Sequence, residues 1–345
     1  MIDWLTLRYP LDRLDVSIRD RFKAALGVVF CSDSQGQVMW QKPWLDLDSL
    51  RSDTDGLCWS VSRDTDNEFL TIGGSPAALE HGLNVFGSSD IRHCAGVLLL
   101  AAQKTLCAVL PAASEWSCRR VDVTENYLFA SDREVKAWLR VLRNTESGRH
   151  KPTNQTGDTV NWNHSSSLRS GKAYHKGPQL EFLLKKGRQL MVDDWQLEQA
   201  ARLGRLELKL GSRWFRRFYD AGGSWWDLTV EDLQKQHSDY FGRMWGDGKI
   251  EVADMGKLLE ELEKVAPSKG RALAAHRTWA LLKSVGMSQT RSSMPRSTWF
   301  LHLSYLRAAG LTDADLCEGN IVPFTRRDMS IAEPVRSWDD VRRCA

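Results

Sequence analysis

The stretch CRRVDVTENYLF, residues Cys118–Phe129, decides how this sequence is expected to fold. Polar and apolar residues alternate along its first half, and successive side chains of a β-strand point to opposite faces of the sheet. The alternation therefore predicts a strand with one polar and one apolar face. The polar face carries Arg120, Asp122 and Thr124, and the apolar face carries Val121 and Val123.

Two later stretches, GKAYHK and GRLELKL, repeat this pattern. The polar residues of each stretch share one face: Lys172, Tyr174 and Lys176 in the first, and Arg205, Glu207 and Lys209 in the second. Three leucines lie behind the polar residues of the second stretch. If the three strands are neighbours in one sheet, two carboxylates and a phenol meet on a cationic surface.

The rest of the chain extends this picture to a two-part α+β protein. Its 345 residues are 42% hydrophobic and 26% charged, which excludes collagen, coiled-coil and disordered classes. We expect a central antiparallel sheet with helices on one face in residues 1–220. Helical periodicity dominates residues 221–345, which predicts an all-α C-terminal domain. Its consecutive helices suit helix-turn-helix DNA binding, although generic helical packing fits the same pattern better.

Charge is concentrated in the middle of the chain. Residues 91–219 hold 22 Lys and Arg against 12 Asp and Glu, although the whole chain has a net charge of only +3. A basic centre of this kind is typical of a surface that binds a polyanion such as DNA. The sequence shows neither a signal peptide nor an apolar run long enough to cross a bilayer, and we expect a cytoplasmic protein without a membrane partner.

The predicted polar surface suits phosphodiester chemistry. Asp122 and Glu207 can hold Mg²⁺ (or Mn²⁺) through oxygen ligands, and such an ion polarises a phosphoryl group. Tyr174 can attack the phosphorus and form a covalent phosphotyrosine. Lys172 and Lys176 are expected to favour its phenolate. The same alternation also fits a sheet whose charged face merely meets solvent, so patterning alone leaves the function open.

Several sequence blocks resemble the replication initiators of filamentous phages, the gene II (Phage CRI/Phage X) rolling-circle family. SPAALEHGLNVFGSSDI is similar to the family's S-P-A-K-x-x-x-G-H-N-V-F-G-T-x-D block, and CRRVDVT resembles its S-R-I-D-A-T strand. GKAYHKG and GRLELKL resemble its A-Y-x-K and R-x-E strands. MPRSTWF and NIVPFTR resemble its late blocks, so the resemblance extends over almost the whole chain.

The resemblance implies an RNA-recognition-like catalytic core and a DNA endonuclease and strand transferase. Such proteins nick the plus strand of double-stranded origin DNA, stay linked to its 5′ end through a tyrosine, and later rejoin the displaced single strand. The tyrosine element falls on Tyr174, and the strand acids fall on Asp122 and Glu207. Host helicase, polymerase and single-strand-binding protein are the implied partners. The family's Glu after the tyrosine is replaced by Gln179, so Glu181 is the nearest candidate for a third metal ligand.

Further residues are assigned to supporting or alternative roles. The expected DNA contacts are Arg120, Arg205, Lys209, Arg213 and Arg296. The alternative nucleophiles are Tyr127, Tyr219 and Tyr240. Candidates for additional ligands or donors are His150, His164 and His175, and candidates for base stacking are Trp162 and Trp214.

Two other functions fit the same residues. A DNA-binding replication regulator without catalysis needs only the basic surface, although acids that face phosphates would repel DNA unless a cation intervened. A transposase-like strand transferase would share the tyrosine chemistry and differ in its DNA target.

Overall fold

The structure is a computed structural model, and it describes residues 1–24, 26–45, 56–64, 67–143, 152–154, 159–185, 190–245, 255–311, 316 and 334–344. The strands are β1 (Ile2–Pro10), β2 (Leu26–Ser32), β3 (Val38–Leu45), β4 (Leu57–Asp64), β5 (Asn67–Gly74), β6 (Ser117–Leu128), β7 (Pro152–Asn154), β8 (Thr159–Trp162), β9 (Arg169–His175) and β10 (Leu203–Leu210).

Helices separate and follow these strands. They are α1 (Val16–Ala24), α2 (Pro76–His81), α3 (Ile91–Leu106), α4 (Asp132–Arg143), α5 (Lys176–Lys185), α6 (Asp194–Ala200), α7 (Ser212–Asp220), α8 (Val230–Trp245), α9 (Met255–Val265), α10 (Lys269–Val285), α11 (Met287–Ser292), α12 (Arg296–Ala308) and α13 (Trp338–Cys344). The described part of the chain holds no helix that is long and apolar enough to cross a membrane.

Eight of the described strands form one antiparallel sheet in the order β4-β5-β1-β6-β10-β9-β8-β7. Strands β2 and β3 form a separate hairpin. Strand β10 lies between β6 and β9, so the three strands singled out in the sequence are neighbours. The predicted central antiparallel sheet is confirmed.

One face of the sheet is apolar and covered by helices. Leu206, Leu208 and Leu210 are buried there. Two glycines show how closely the helices approach: a Cβ at Gly204 would lie 2.5 Å from the ring of Trp138 in α4, and a Cβ at Gly171 would lie 2.5 Å from the ring of Tyr240 in α8. The strands need glycine at both positions because a larger residue would push the helices off the sheet.

Side-chain caps begin two of the helices. The side chain of Ser75 accepts a hydrogen bond from the Ala78 amide at 3.5 Å, and Asp90 accepts one from the Arg92 amide at 2.8 Å. Both contacts satisfy amide groups that have no partner within the first turn of a helix. They fix the starts of α2 and α3, which connect β5 to β6.

A small cluster of apolar residues closes one end of the polar face. It joins the segment 83–86 to helices α5, α6 and α13, with Val85, Leu180, Leu203 and Val335 buried inside it. The backbone amide of Val335 donates to the carbonyl of Asn126 in β6 at 2.9 Å. This cluster buries the end of the polar face near Tyr174.

The C-terminal third contains a separate helical core. Helices α9, α10 and α12 pack around Trp279, Trp299 and Leu306, which confirms the predicted helical region. Helix α8 instead packs against the sheet through Tyr240 and Phe241. The division of the chain at residue 220 stays a prediction.

Candidate active site

Strands β6, β10 and β9 bring the predicted polar residues onto one face. The register aligns three rows across these strands: Asn126, Arg205 and Tyr174; Thr124, Glu207 and Lys172; and Asp122, Lys209 and Ser170. Residues directly opposite each other in antiparallel strands share a face. Tyr174 therefore lies on the same side of the sheet as Asp122 and Glu207.

Asp122 and Glu207 are diagonal neighbours on adjacent strands, and both are largely withdrawn from water. Burial raises the pKa of Glu207 to about 7, and the negative charges of Asp122 and Asp3 add to this rise. Burial also raises the pKa of Asp122, although Arg120 opposes the shift. Raised pKa values at two neighbouring acids indicate a site that favours an added positive charge.

Arg120 forms a two-point contact with Asp122. Its Nε donates to Oδ1 at 2.7 Å, and its Nη2 donates to Oδ2. The two residues are two positions apart on β6, so both side chains leave the same face. The guanidinium also lies 5.5 Å from the ring centroid of Trp4. Arg120 is therefore held at the acids, where it competes with any cation for the Asp122 carboxylate.

Asp3 is a third acid at this site, and it is not among the residues predicted from the sequence. Its carboxylate accepts a hydrogen bond from Asn84 at 3.0 Å and pairs with Arg205 at 3.4 Å. The pairing of β1 with β6 shifts register between Ile2 and Trp4, so Asp3 sits in a bulge. Bulges re-aim side chains, and here the bulge turns Asp3 towards the polar face. The single acid of this strand was the available signal.

Tyr174 is enclosed by cationic side chains and does not belong to the apolar core. The residue is 3% exposed, and its hydroxyl accepts a hydrogen bond from Nη1 of Arg205 at 3.4 Å. Burial raises its pKa well above 10, and Arg205 acts in the opposite direction. Burial therefore outweighs the cationic surroundings and favours the neutral phenol, and the effect expected of the flanking lysines stays a prediction. The ammonium of Lys172 lies 4.3 Å from the ring centroid, above the ring.

Lys176 is fully buried at the start of α5. Its ammonium donates to Oδ1 of Asn84 and to Oε1 of Gln179, each at 2.8 Å. Burial lowers its pKa well below the ordinary value for lysine. Asn84 also binds Asp3, so Lys176 and Asp3 are connected through one amide. Gln179 supplies a neutral partner for this lysine.

Two expected site residues lie elsewhere. Glu181 has a side chain that is 63% exposed and faces Lys185 at 4.0 Å, so it is not a third metal ligand beside Asp122. Arg205 is fully buried and held by Asn126 at 2.7 Å, because the segment 83–86 covers it. A direct contact between Arg205 and DNA is therefore corrected to an internal contact with Tyr174.

The other expected DNA contacts differ in position. Arg120 and Lys209 are partly exposed on the polar face, and the ammonium of Lys209 donates to the carbonyl of His164 at 3.4 Å. Arg213 is exposed on α7. Arg296 is exposed at the start of α12, one of the helices that form the separate C-terminal core. Their contacts with DNA stay predictions.

The three alternative nucleophiles are turned away from the acids. The hydroxyl of Tyr127 donates to Glu125 at 2.9 Å, and both side chains lie on the face opposite Asp122. Tyr219 donates to the carbonyl of Cys118 at 2.9 Å. Tyr240, a residue of α8, packs against Gly171 on the helix-covered face. The geometry therefore favours Tyr174 among the tyrosines considered.

The histidine and tryptophan candidates do not join this site. His175 is buried and bonds the carbonyl of Ala201 at 2.7 Å on the helix-covered face. His164 lies in an exposed loop, and His150 lies outside the described residues. Trp162 is fully buried, so it is not available for base stacking. Trp214 is partly buried and stacks on Phe218 with ring centroids 5.1 Å apart.

The carboxylates of Asp122 and Glu207 are suitable ligands for a hard divalent cation. Among the described residues, no group of three or more His, Cys, Asp or Glu side chains is arranged to hold a metal ion. Mg²⁺ does not need such a cage, since it keeps several waters and binds through about one or two carboxylates plus substrate phosphates. Asp122 and Glu207 supply that number of acids, and their raised pKa values favour a cation.

Comparison with known proteins places this chain in a family. A family model that describes the N-terminal part of a phage replication-associated protein (Phage_CRI) matches residues 1–236. The chain is 23% identical to the replication-associated protein of Enterobacteria phage f1 over 328 residues, which cover 81% of this chain and 79% of the relative. The replication-associated protein of Enterobacteria phage M13 gives the same values.

A solved structure of a rolling circle replication initiator protein from Geobacillus stearothermophilus is also similar. It is 12% identical, with a TM-score of 0.29, and the match covers 69% of this chain and 83% of that chain. Because the family model matches residues 1–236, which are more than half of the chain and include every described strand of the sheet, the chain belongs to the Phage_CRI family of replication-associated proteins.

Proposed function

We propose that the protein initiates rolling-circle replication by nicking one strand of double-stranded origin DNA through a covalent 5′-phosphotyrosine at Tyr174. The observation that carries this proposal is the placement of Tyr174, Asp122 and Glu207 on one polar face of the sheet. Membership of the Phage_CRI family supports it. The nicked strand is the plus strand by analogy with that family.

The nicking step exchanges one phosphodiester for another. The Tyr174 oxygen attacks the scissile phosphorus, and a new tyrosine–phosphorus bond forms. The bond between phosphorus and the 3′ oxygen breaks at the same time. The phenol proton passes to solvent, and the leaving oxygen takes up a proton to become a free 3′ hydroxyl. No outside energy source is needed, because the phosphotyrosine keeps the bond energy.

Asp122 and Glu207 are the proposed ligands of Mg²⁺ or Mn²⁺. When bound there, the ion would neutralise charge on the scissile phosphate and polarise it. Lys209 and Lys172 stand opposite Asp122 and Glu207 on neighbouring strands, so they are placed to hold adjacent phosphates. With an ion at Asp122, Arg120 would release the carboxylate and would contact a DNA phosphate instead.

Arg205 and the covering segment 83–86 prepare the nucleophile. Arg205 donates to the Tyr174 hydroxyl and stabilises negative charge as the proton leaves. Because Tyr174 is 3% exposed, attack requires the covering residues to move when DNA binds. The closed arrangement keeps water away from the nucleophile until then.

The later steps reuse the stored bond. The free 3′ hydroxyl primes a host polymerase while a host helicase and single-strand-binding protein process the displaced strand. The new 3′ hydroxyl finally attacks the phosphotyrosine, which releases a circular strand and restores Tyr174. With these partners, which follow from the family's role, the reaction would take place in the host cytoplasm.

The test uses supercoiled plasmid that carries the origin of the replicon encoding this chain. With Mg²⁺, we expect open circles whose 5′ end is linked to protein. Tyr174→Phe should abolish the linkage, whereas Tyr219→Phe should retain it because that hydroxyl binds the Cys118 backbone. An adduct that persists in Tyr174→Phe overturns the assignment of the nucleophile.

Two results would favour the other functions. If the wild-type protein binds the origin but leaves it uncut, and Asp122→Asn binds equally well, the protein is a DNA-binding regulator. Joining of the cut end to an unrelated target would indicate a transposase-like strand transferase. Simple nicking and rejoining at one origin supports the initiator.

A further inference from the structure

The polar face continues beyond the acids onto strands β1 and β5. Thr6 pairs with Arg120, and the next outward-facing residue of β1, Arg8, pairs with Ser117 on one side and Thr71 on the other. Arg8 therefore shares a face with Arg120 and Asp122. The cationic surface extends towards the far edge of the sheet, away from Tyr174.

Two arginines on this extension are stacked on aromatic rings. The guanidinium of Arg120 lies 5.5 Å from the ring centroid of Trp4, and that of Arg8 lies 3.5 Å from the ring centroid of Phe69. Arg8 is 8% exposed, so its charge is largely withdrawn from water. Cationic grooves with interleaved aromatic rings are characteristic of surfaces that bind single-stranded nucleic acid.

A cavity of about 400 Å³ opens beside the second stack. Arg8 and Arg13 contribute two guanidinium groups to its walls. Further wall residues are Tyr9, Pro10, Phe69 and Ser117. Glu115 also contributes to the wall, and its carboxylate accepts a hydrogen bond from the Ala112 amide at 3.1 Å. The volume lies within the usual range of small-molecule sites, roughly 300–1,000 Å³.

We propose that this cavity, the Arg8 pocket, binds one nucleotide of single-stranded DNA at a distance from the nicking centre. Arg8 and Arg13 contact its phosphate, and Phe69 and Pro10 contact its sugar and base. Phosphate contacts of this kind fix position without reading sequence. The proposal rests on the proposed function for the identity of the strand, and it adds a second anchor for that strand.

The separation of the two sites sets the length of DNA between them. Asp122 pairs with Trp4 and Ser117 pairs with Arg8, so the two positions are four residues apart along β1; the register shift between Thr6 and Leu7 takes up the extra residue of β6. A strand rises about 3.3 Å per residue, so the two positions are roughly 13 Å apart. A strand stacked as in B-DNA, at about 3.4 Å per nucleotide, covers this distance with roughly four nucleotides, and an unstacked strand needs fewer. Strands too short to cover the distance can occupy the acids or the pocket, but they cannot bridge both.

The experiment measures the binding of a series of fluorescent single-stranded oligonucleotides. All of them start at the nick position, and each is one nucleotide longer than the one before. It is carried out with the full chain and without divalent cations, so it does not depend on nicking. The wild-type protein should gain about tenfold in affinity once the strand reaches the pocket. Arg13→Ala should remove this gain and lower the salt dependence of binding by about one phosphate.

Arg133→Ala is the matched control, because Arg133 is also an exposed arginine and lies on α4, which covers the opposite face. Phe69→Leu keeps the apolar character and removes the ring, and it should also reduce the gain. With 5-iodouracil placed in turn at each position about two to four nucleotides from the nick, photocrosslinks at one of these positions should map to the peptide that contains Tyr9 or Phe69.

Each outcome decides between the pocket and the nicking function. Affinity that grows smoothly with length, or an equal loss in Arg13→Ala and Arg133→Ala, overturns the pocket. Crosslinks confined to other peptides also overturn it. If the pocket is overturned in this way but nicking is normal, the proposed function still holds. If affinity rises stepwise with strand length but no nicking occurs, the pocket is supported and the proposed initiator function is overturned.

Discussion

Arg205 and Tyr174 are opposite each other in the β10–β9 pair, and the guanidinium Nη1 lies 3.4 Å from the phenol oxygen. Asn126 and the carbonyl of Val85 hold the other nitrogens of the same guanidinium. Burial raises the pKa of Tyr174, and Arg205 is the first opposing influence. The fold thus fixes one positive charge at the proposed nucleophile.

Arg205→Gln removes this charge and should slow formation of the covalent adduct by about 10- to 100-fold, because a hydrogen bond to a charged group is worth about 1.5–3 kcal/mol. Loss of the opposing charge also raises the pKa of Tyr174 further, so less phenolate is present at every pH below that pKa. Single-turnover nicking between about pH 6 and pH 10, a range that ends at the ordinary tyrosine pKa, should therefore be slower than wild type throughout. Arg133→Gln, the same change on exposed α4, is the control, and a wild-type rate in Arg205→Gln would contradict the coupling.

Arg120→Gln should raise the affinity for a divalent cation about tenfold. The guanidinium now occupies the Asp122 carboxylate, so its removal frees one ligand and removes one repelling charge. Titration with Mn²⁺ by calorimetry, in the absence of DNA, measures the change. Arg119→Gln changes the neighbouring arginine of the same strand and should leave Mn²⁺ affinity as it was; equal affinities in all three proteins would count against Asp122 as a ligand.

Glu207→Gln should stabilise the cation-free protein at pH 8. The folded pKa is raised from 4.5 to about 7, so the folded state binds the proton more tightly than the unfolded state. Stability is therefore fully present below pH 4.5 and declines as pH rises through 7. By about pH 8 the loss is on the order of 3 kcal/mol.

Urea denaturation at pH 4.5 and pH 8 provides the measurement for this variant. The gain over wild type should appear at pH 8 and shrink at pH 4.5. The exposed Glu181, changed to Gln, serves as the control and should show no such difference. A Glu207→Gln protein that is equally stabilised at both pH values would point to packing instead of charge.

Gly204→Ala should destabilise the sheet by about 1–3 kcal/mol, the usual cost of overpacking a core. The new methyl group would lie 2.5 Å from the Trp138 ring, between β10 and α4. Gly96→Ala, at an exposed position of α3 with open space around its Cβ position, should instead stabilise by about 1 kcal/mol. Thermal denaturation of the two variants should give opposite shifts; a harmless Gly204→Ala would show that α4 does not pack as described.

The sequence was sufficient for the parts of the site that depend on alternation alone. Asp122, Glu207 and Tyr174 lie on one face because their strands are regular and paired in register. A period of two determines the side of the sheet on which each side chain lies, wherever the strand itself is placed. The antiparallel sheet and the helical C-terminal region follow from similarly local patterns.

Other features depend on tertiary contacts that no local pattern contains. Asp3 reaches the site through a bulge in β1, and one extra residue reverses the side predicted by alternation. Arg205 was expected to contact DNA, but the distant segment 83–86 buries it. Glu181 follows α5 away from the sheet. Proximity along the chain to Tyr174 was therefore misleading for this acid.

The contact between Val335 and Asn126 has a consequence for protein synthesis. Asn126 orients Arg205, and Val335 belongs to a segment that the ribosome produces long after the sheet. A nascent chain that stops short of residue 335 can pair its strands but lacks the partner that closes this end of β6. This end of β6 would then close late in translation, only after residue 335 has been added.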